Sequence, residues 1–380
     1  MYKCPRCGNE DRRYIGYRNG EPYCRRCISF SGKEATYEVD LKGKNPNLFL
    51  DYSLSEDQKK VSKDVLRILK DGKNVLIYAV TGAGKTELVY ESIEYFLKKQ
   101  KKVGFAIPRR DVVIDLLPRV KEAFKGVKVI AVYGSHSSDI EGDIILLTTH
   151  QLYRYKNYFD LLIIDEIDAF PYRGSEVLQS FFKSSLRGNF ILLTATPTAK
   201  DEEYIKENNG EKVTLLKRYH SHPLIVPRFI KPTISLYISC LIELKRLTAK
   251  RYPVMVFVPT IKIGQTLFRF LSFHLKNGQF VSSEEEKRDE YIKAFKERKL
   301  NYLVTTSILE RGVTIANLQV IVFKSNHKLY TKEALIQISG RVGRKMNAYL
   351  GEVLFIGDYL NEANRRAIEE IEETNRKANL

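Results

Sequence analysis

The stretch that decides the fold is residues 75–87, VLIYAVTGAGKTE. Six apolar or aromatic residues precede a turn that contains Gly82 and Gly84, and Lys85 and Thr86 follow. A strand that ends in such a turn and leads into a helix is the setting of a P-loop, whose backbone N–H groups surround phosphate oxygens. The stretch therefore predicts nucleotide binding, with Lys85 reaching the β and γ phosphates and the Thr86 hydroxyl coordinating Mg²⁺.

Outward from this stretch, short apolar segments alternate with segments of helical periodicity. The segments of the first half are VLIYAV (75–80), VGFAI (103–107), VKVIAV (127–132), DIILLT (143–148), LLIID (161–165) and FILLT (190–194). Those of the second half are PVMVFV (253–258), NYLVTT (301–306), QVIVF (319–323) and EVLFI (352–356). Because continuous apolar runs joined by crossover-length segments predict buried parallel strands, we expect an α/β chain with two tandem domains.

The acidic stretch at residues 161–172, LLIIDEIDAFPY, gives the P-loop a partner. A P-loop needs a second strand whose carboxyl end supplies one carboxylate to Mg²⁺ and another to orient the attacking water. We assign Asp165 to the metal and Glu166 to the water. An acidic turn that caps the next helix is the alternative, and the apolar strand together with the upstream P-loop disfavours it.

Four of the five cysteines lie near the start of the chain. Cys4 and Cys7 form one C-x2-C pair, Cys24 and Cys27 form another after sixteen intervening residues, and Cys240 is isolated. This spacing lets two turns present four thiolates tetrahedrally to one zinc ion. Disulfides are the alternative, which a cytosolic setting disfavours. The first residues lack the apolar core of a secretory signal, so we expect a cytoplasmic protein with a zinc ribbon.

The charge balance indicates a polyanionic partner. The chain has 63 Lys and Arg against 46 Asp and Glu, a formal net charge of +17 that is spread along its length. Each phosphate that such a surface contacts releases counterions, so nucleic acid is the expected partner, with solubility alone as the alternative. A run of eighteen apolar residues is absent from the sequence, so it contains no transmembrane candidate.

The domain boundaries are predicted from these patterns. We expect a zinc ribbon at 1–30, a linker at 31–53, a first α/β domain at 54–200, an inter-domain region at 201–252 and a second α/β domain at 253–380. The inter-domain assignment depends on weak periodicity and several prolines. Helical patterns are also expected from Ser55, over 283–299 and from Asn361 to about Ala378.

Four motifs together resemble those of superfamily 2 helicases and translocases. They are TGAGKT (81–86), DEID (165–168), TAT (194–196) and QISGRVGR (337–344). The resemblance implies two RecA-like domains with ATP in the cleft between them. The four-cysteine N-terminus, LFLDYSLSEDQ (48–58) and DEIDAFPY make the chain similar to the ComFA family of late-competence DNA-uptake ATPases, and more distantly to the primosome helicase PriA.

The resemblance extends the set of site residues. The expected nucleotide-binding residues are Gln58 at the adenine edge, Thr81, Gly82, Ala83, Gly84, Lys85, Thr86 and Gly312. The residues expected to act on the phosphates are Lys85, Asp165, Glu166, Gln337, Arg341 and Arg344. Arg341 is the preferred arginine finger, a group typically worth about 10³–10⁵ in rate. The residues expected to couple nucleotide state to the DNA track are Asp168, Thr194, Thr196 and Glu310.

Contacts to single-stranded DNA are expected from loops at the ends of strands. The candidates are Pro108, Arg109, Arg110, Thr148, Thr149, Gln151, Thr260, Thr305 and Arg311. Hydroxyls, backbone amides and arginines that contact phosphates give little sequence preference. For each of these residues, ordinary loop chemistry is the alternative.

The sequence thus predicts an ATP-dependent translocase on single-stranded DNA that uses ATP, Mg²⁺ and Zn²⁺. The family resemblance implies other competence proteins at the membrane as partners, and a peripheral position at its inner face. The lack of an obvious strand-separating insertion favours translocation over unwinding. The alternatives are a DEAD-box-type RNA helicase and a non-hydrolysing, zinc-dependent scaffold or nucleotide switch, the latter disfavoured by Lys85, Glu166 and Arg341.

Overall fold

The computed structural model describes residues 2–38, 46–134, 136–169, 172, 174–282, 284–306 and 315–380. The chain forms two compact units, one of Met1–Ala79 with Gly84–Leu215 and one of Val80–Ala83 with Leu216–Leu380. Each unit is built on one parallel β-sheet, which confirms the predicted α/β class.

The first unit begins with the cysteine-rich hairpin. Strands β1 (Ile15–Arg18) and β2 (Glu21–Cys24) are antiparallel. Asn19 and Gly20 between them both have positive φ, which is what a two-residue hairpin turn of matching twist requires.

The main sheet of the first unit has seven parallel strands. In spatial order they are β11 (Gly210–Leu215), β4 (Asn74–Ala79), β10 (Leu186–Thr194), β9 (Phe159–Ile164), β5 (Val103–Ile107), β8 (Ile144–Thr148) and β7 (Val129–Val132). A separate antiparallel pair joins β3 (Asn47–Leu48) to β6 (Phe124–Lys125). Every residue of β9 is buried, as expected for a central strand covered on both faces.

Helices cover this sheet between the strands. They are α1 (Glu56–Lys70), α2 (Tyr90–Lys98), α3 (Arg110–Ala123), α4 (Glu176–Ser185) and α5 (Ala199–Glu207), with 3-10 turns at Arg12–Tyr14, Glu87–Val89 and Thr149–Arg154. The apolar side of α1 buries Val61, Val65 and Ile68, which is the helical spacing that its sequence predicts.

The second unit contains a six-stranded parallel sheet. Its spatial order is β12 (Arg228–Ile230), β17 (Val353–Ile356), β16 (Gln319–Phe323), β13 (Val254–Phe257), β15 (Tyr302–Thr305) and β14 (Gly278–Val281). Among its described residues, the helices are α6 (Leu236–Ala249), α7 (Ile261–His274), α8 (Arg288–Lys296), α9 (Lys332–Ser339) and α10 (Glu362–Lys377). Asn361 caps α10 at the predicted position, whereas α8 is shorter than the predicted helical segment.

All ten predicted strands are present, and three further strands of the two main sheets were not predicted. The additional strands are β11, β12 and β14, each of them at an edge of its sheet. Edge strands are only partly buried, so their sequences lack the continuous apolar runs of central strands. As a consequence, residues 201–252 contribute α5 and β11 to the first unit and β12 and α6 to the second.

Candidate nucleotide and nucleic-acid site

The P-loop connects β4 to α2. Gly82 and Gly84 have φ values of 83° and 77°, in the left-handed region that favours glycine. A Cβ atom at Gly84 would also lie 2.5 Å from Nε2 of Gln58. The strand, the glycine turn and the following helical segment are therefore arranged as a phosphate-binding loop requires.

Gln58 lies beside this loop for a reason that its sequence shows. Ser55 caps α1: its Oγ accepts from the Gln58 N–H at 3.3 Å, and Oε1 of Gln58 accepts from the Ser55 N–H at 2.9 Å. This reciprocal capping box fixes the carboxamide so that its Nε2 faces Gly84. Gln58 is thus next to the P-loop, and its contact with adenine stays a prediction.

Asp165 and Glu166 follow the last residue of β9. The Asp165 N–H donates to the Ala106 carbonyl at 3.0 Å, and the Glu166 N–H donates to Oδ1 of Asp165 at 2.8 Å. Burial raises the pKa of Asp165 and the charge of Glu166 raises it further, whereas the positive charge of Lys85 lowers it. The positive charge of Lys85 therefore favours the ionised form of Asp165, and the role of Lys85 at the phosphates stays a prediction.

The backbone of Glu166 is in an unusual conformation. Its φ of 57° lies in the left-handed region, which residues other than glycine rarely adopt and which costs about 1–3 kcal/mol. Such conformations persist where the surrounding structure enforces them, and they concentrate at functional sites. Sequence patterns carried no signal of this feature.

Asp168 joins the acidic stretch to the TAT segment at the end of β10. Its two carboxylate oxygens accept from Oγ1 of Thr194 at 3.1 Å and from Oγ1 of Thr196 at 3.3 Å. Oγ1 of Thr194 also accepts from the Thr196 N–H at 3.1 Å. Three of the four predicted coupling residues are thus in direct contact, and Asp168 is engaged in hydroxyl contacts.

The QISGRVGR segment ends α9 and continues into a turn. Arg341 is only 2% exposed, and Gln337 is also buried. Nε of Arg344 donates to the Gly340 carbonyl at 2.8 Å. Gly343 has a φ of 70°, and a Cβ atom there would lie 2.4 Å from the Tyr349 carbonyl oxygen, so the turn requires glycine.

Two residues that support this turn were missed by sequence reasoning. The Arg218 guanidinium, 2% exposed, donates to the carbonyls of Val342 at 2.8 Å and Gly343 at 2.6 Å. Nε2 of His220 contacts the same Gly343 carbonyl at 3.0 Å. Burial, with a smaller effect from the charge of Arg344, lowers the pKa of Arg218 to about 9. Arg218 and His220 lie in an irregular, proline-rich region, where no motif marks them.

The four predicted zinc ligands converge. The sulfurs of Cys4 and Cys27 are 3.5 Å apart and those of Cys7 and Cys24 are 3.6 Å apart, and all four lie within 4.8 Å of one another. Tetrahedral zinc with Zn–S bonds of about 2.3 Å requires sulfurs roughly 3.8 Å apart. All four cysteines are buried and none forms a disulfide, so the donor set fits zinc.

The nucleic-acid candidates of the first unit lie at the carboxyl ends of β5 and β8, which are neighbours in the sheet. Arg109 caps α3, and the guanidinium of Arg110 lies 5.5 Å from the ring centroid of Tyr133. The side chain of Thr149 is fully buried, and Oε1 of Gln151 accepts from Nε of Arg154 at 2.6 Å. These two side chains are therefore enclosed by the protein, and their contacts with nucleic acid stay a prediction.

Of the nucleic-acid candidates in the second unit, Thr260 and Thr305 lie among the described residues. Thr260 caps α7 through a hydrogen bond from the Ile263 N–H at 3.3 Å, and Thr305 is buried at the end of β15. β13 and β15 are paired, so the two threonines lie at the same edge of the sheet. Glu310, Arg311 and Gly312 lie outside the described residues, as do Phe170 and Pro171 of DEIDAFPY.

Two family models match the chain. The model described as "Type III restriction enzyme, res subunit" matches residues 51–199, and "Helicase conserved C-terminal domain" matches residues 237–346. Among the described residues, every helix is too short or too polar to cross a bilayer.

Two similar proteins are both called Competence protein ComFA. The protein of Streptococcus pneumoniae (strain ATCC BAA-255 / R6) is 35% identical over 397 residues, which cover 99% of this chain and 91% of that protein. The protein of Bacillus subtilis (strain 168) is 34% identical over 388 residues, which cover 93% of this chain and 81% of that protein.

The fold is similar to that of S. cerevisiae Dbp5, solved bound to RNA and ADP BeF3. The TM-score is 0.63 at 16% sequence identity, and the match covers 85% of this chain and 92% of that one. This likeness establishes the fold as two RecA-like parallel-sheet domains.

Proposed function

The chain belongs to the ComFA family of competence proteins, and we propose that it is an ATP-dependent translocase that moves along single-stranded DNA during DNA uptake. Its two helicase-type domains make it a nucleic-acid-dependent ATP hydrolase. The observation that supports the motor function best is the acidic end of β9, where Asp165 and Glu166 are fixed by backbone contacts within electrostatic reach of Lys85.

ATP hydrolysis would proceed at this strand end. The P-loop amides and Lys85 would bind the phosphates, and Thr86 and Asp165 offer the oxygen ligands that Mg²⁺ prefers. When bound, the metal neutralises charge on the phosphate oxygens. Glu166 would orient a water and accept its proton as the water oxygen attacks the γ-phosphorus and the bond to the β-phosphate oxygen breaks.

The second unit would supply positive charge to the same reaction. We propose Arg341 as the guanidinium that stabilises the transferring γ-phosphoryl group, with Arg344 on the same segment after α9 and Gln337 in the last turns of that helix. Supporting this proposal is the tight turn at Gly343, which fixes the segment in one backbone conformation.

Movement on DNA would follow from changes at the strand ends. Asp168 contacts both threonines of the TAT segment, so a shift of the acidic stretch would move the end of β10 directly. The ends of β5 and β8, with Arg109 and Arg110, would contact the sugar-phosphate backbone of the DNA. Hydroxyl and amide contacts of this kind bind single strands with little sequence preference.

The proposal also includes a structural zinc site and a location in the cell. The four buried thiols of the ribbon would bind one structural Zn²⁺. Family membership supports work in the cytoplasm, peripherally at the inner face of the cell membrane and with other uptake proteins.

One experiment tests the substrate. ATP turnover is measured alone and with oligo(dT), duplex DNA and single-stranded RNA, with Lys85→Ala as the blank. We expect single-stranded DNA to stimulate turnover more than duplex DNA does, because unpaired bases and a flexible backbone suit the proposed contacts, and more than RNA because the chain belongs to a DNA-uptake family. Stimulation by RNA alone would favour the RNA-helicase alternative, and an absence of turnover under every condition would favour the scaffold.

A further inference from the structure

The segment at residues 28–37, which we call the strap, comprises the end of the predicted ribbon and the start of the predicted linker, and it packs on the first unit. The ring of Phe30 is stacked on His150, with centroids 6.1 Å apart and planes 17° apart. The same ring packs edge-on against Phe181 of α4, with ring centroids 5.0 Å apart. Its centroid lies 5.9 Å from that of the tilted Tyr153 ring. Phe30 therefore packs against both α4 and the 3-10 turn Thr149–Arg154.

Two hydrogen bonds to backbone carbonyls align the strap along that turn. The Tyr153 hydroxyl donates to the Ser31 carbonyl at 2.6 Å, and the Ala35 N–H donates to the Arg154 carbonyl at 2.8 Å. Between them, Gly32 has a φ of 147°, and a Cβ atom there would lie 2.7 Å from Nη1 of Arg154. Glycine at position 32 thus allows the close approach of the strap to the guanidinium.

Arg154 joins the strap to the nucleic-acid candidates. Its side chain, 6% exposed, donates from Nη1 to the Lys33 carbonyl at 2.7 Å and from Nε to Oε1 of Gln151 at 2.6 Å. One rigid guanidinium therefore connects a strap carbonyl to a residue of the turn that follows β8. Because guanidinium donors have fixed directions, a displacement of the strap would displace Gln151 with it.

Contacts on both sides fix the strap. On the ribbon side, Arg26 and Glu176 form an ion pair of 2.7 Å. On the other side, the Tyr37 hydroxyl donates to Asp160 of β9 at 3.0 Å, and the Arg187 guanidinium lies 4.0 Å from the Tyr37 ring centroid. Through Tyr37, the strap therefore also contacts the main sheet. A flexible linker would not make such contacts.

We propose that Arg154 is a positioning residue through which the strap sets the turn Thr149–Arg154 for nucleic-acid binding. The ribbon then acts on DNA through the strap, by fixing the turn at the end of β8. The role of the turn in DNA binding rests on the proposed function, whereas the mechanical link between strap and turn does not.

The test uses the full-length protein with Phe30→Ala and Arg154→Ala. Binding of fluorescein-labelled oligo(dT) is measured by anisotropy, and turnover is measured with and without DNA. We expect both variants to bind oligo(dT) about tenfold more weakly, because contacts from a charged donor or a partly buried ring are lost. DNA-independent turnover should stay within about twofold of wild type. The conservative Phe30→Leu should restore most of the affinity, since an apolar side chain of similar size refills the site.

Hydrogen exchange separates positioning from general loss of stability. In both alanine variants, amides of residues 149–155 should exchange faster, while those of α10 in the second unit should exchange as in wild type. The matched control is Arg18→Ala on the exposed face of the ribbon hairpin. It should change neither exchange nor oligo(dT) affinity.

Two results would overturn the inference. Unchanged exchange at 149–155 in both alanine variants would show that the strap does not set the turn. A loss of affinity in Arg18→Ala as large as that in Arg154→Ala would show that the ribbon contacts DNA itself. If wild type binds no oligo(dT), the proposed function and the DNA role of the turn both fail, and the exchange data still decide the link between strap and turn.

Discussion

The two units place their candidate residues by different means. In the first unit, Asp165 and Glu166 extend from the end of a buried strand, and the neighbouring strand fixes the backbone of Asp165. In the second unit, Arg341 lies in a turn after α9 whose carbonyls are bound by Arg218, more than a hundred residues away in sequence. The first arrangement depends on backbone pairing between strands and the second on one buried side chain, so the two should respond differently to mutation.

The largest effect is expected at the strand end. Glu166→Gln removes the proposed proton acceptor while keeping the size and polarity of the side chain, so ATP binding should persist. General-base catalysis contributes about 10²–10⁴ in rate, and turnover should fall by that factor. Binding of a fluorescent ATP analogue and steady-state phosphate release measure the two quantities.

The matched control for this change is Glu203→Gln, at an exposed position of α5. It should leave both quantities as in wild type. Wild-type turnover in Glu166→Gln would place the chemistry elsewhere and remove the basis of the comparison in the first unit.

A smaller effect is expected from the distant support of the second unit. Arg218→Ala leaves the Val342 carbonyl without its buried donor and the Gly343 carbonyl with His220 alone, so the turn that carries Arg341 should loosen. We expect turnover at saturating ATP to fall by roughly 10–100-fold, since misplacement of a catalytic group by about 1 Å has effects of that size. The KM for ATP should change less, because the P-loop keeps Lys85 and Thr86 and loses one contact, the hydrogen bond from Nε of Arg218 to the Thr81 carbonyl at 3.1 Å.

Two companion variants make this result specific. Arg218→Lys keeps a positive charge but lacks the guanidinium fork, so it should recover only part of the turnover. Arg269→Ala, at an exposed position of α7, should behave as wild type. Equal turnover in Arg218→Ala and wild type would show that the turn is stable without its distant support.

These differences explain what the sequence could and could not predict. Continuous apolar runs and the turn at Gly84 are local patterns, so the central strands, the P-loop and the acidic strand end were predicted. Edge strands such as β11 lack such runs and were missed. Asp168 and Thr194 were assigned a shared coupling role only through family resemblance, because their contact joins two strand ends that no local pattern connects.

The remaining features depend on contacts between distant segments. The left-handed conformation of Glu166 has no residue-type signature, because glycine or asparagine would be the usual choice at positive φ. Arg218 resembles any surface arginine in sequence, and only its burial among carbonyls reveals its role.

The smallest expected effect is a pH dependence of stability. It arises from His220 of the second unit. Nε2 of His220 contacts the Gly343 carbonyl, so a neutral ring with its proton on Nε2 can accept from the His222 N–H at Nδ1, 3.2 Å away. Burial lowers the pKa of His220, and the charge of Arg218 lowers it further against the opposing effect of the Gly343 carbonyl.

A lowered histidine pKa makes the folded state bind protons less readily than the unfolded chain, whose histidines titrate near about 6.5. The stabilisation is therefore complete above that pH and is lost as the pH falls from there toward the folded pKa. We expect the difference in melting temperature between pH 7.5 and pH 5.5 to shrink in His220→Asn by about 2–4 °C. His274→Asn, at an exposed position of α7, should keep the wild-type difference. An undiminished difference in His220→Asn would mean that the arginine turn does not depend on a neutral His220, and would leave Arg218 as its principal distant support.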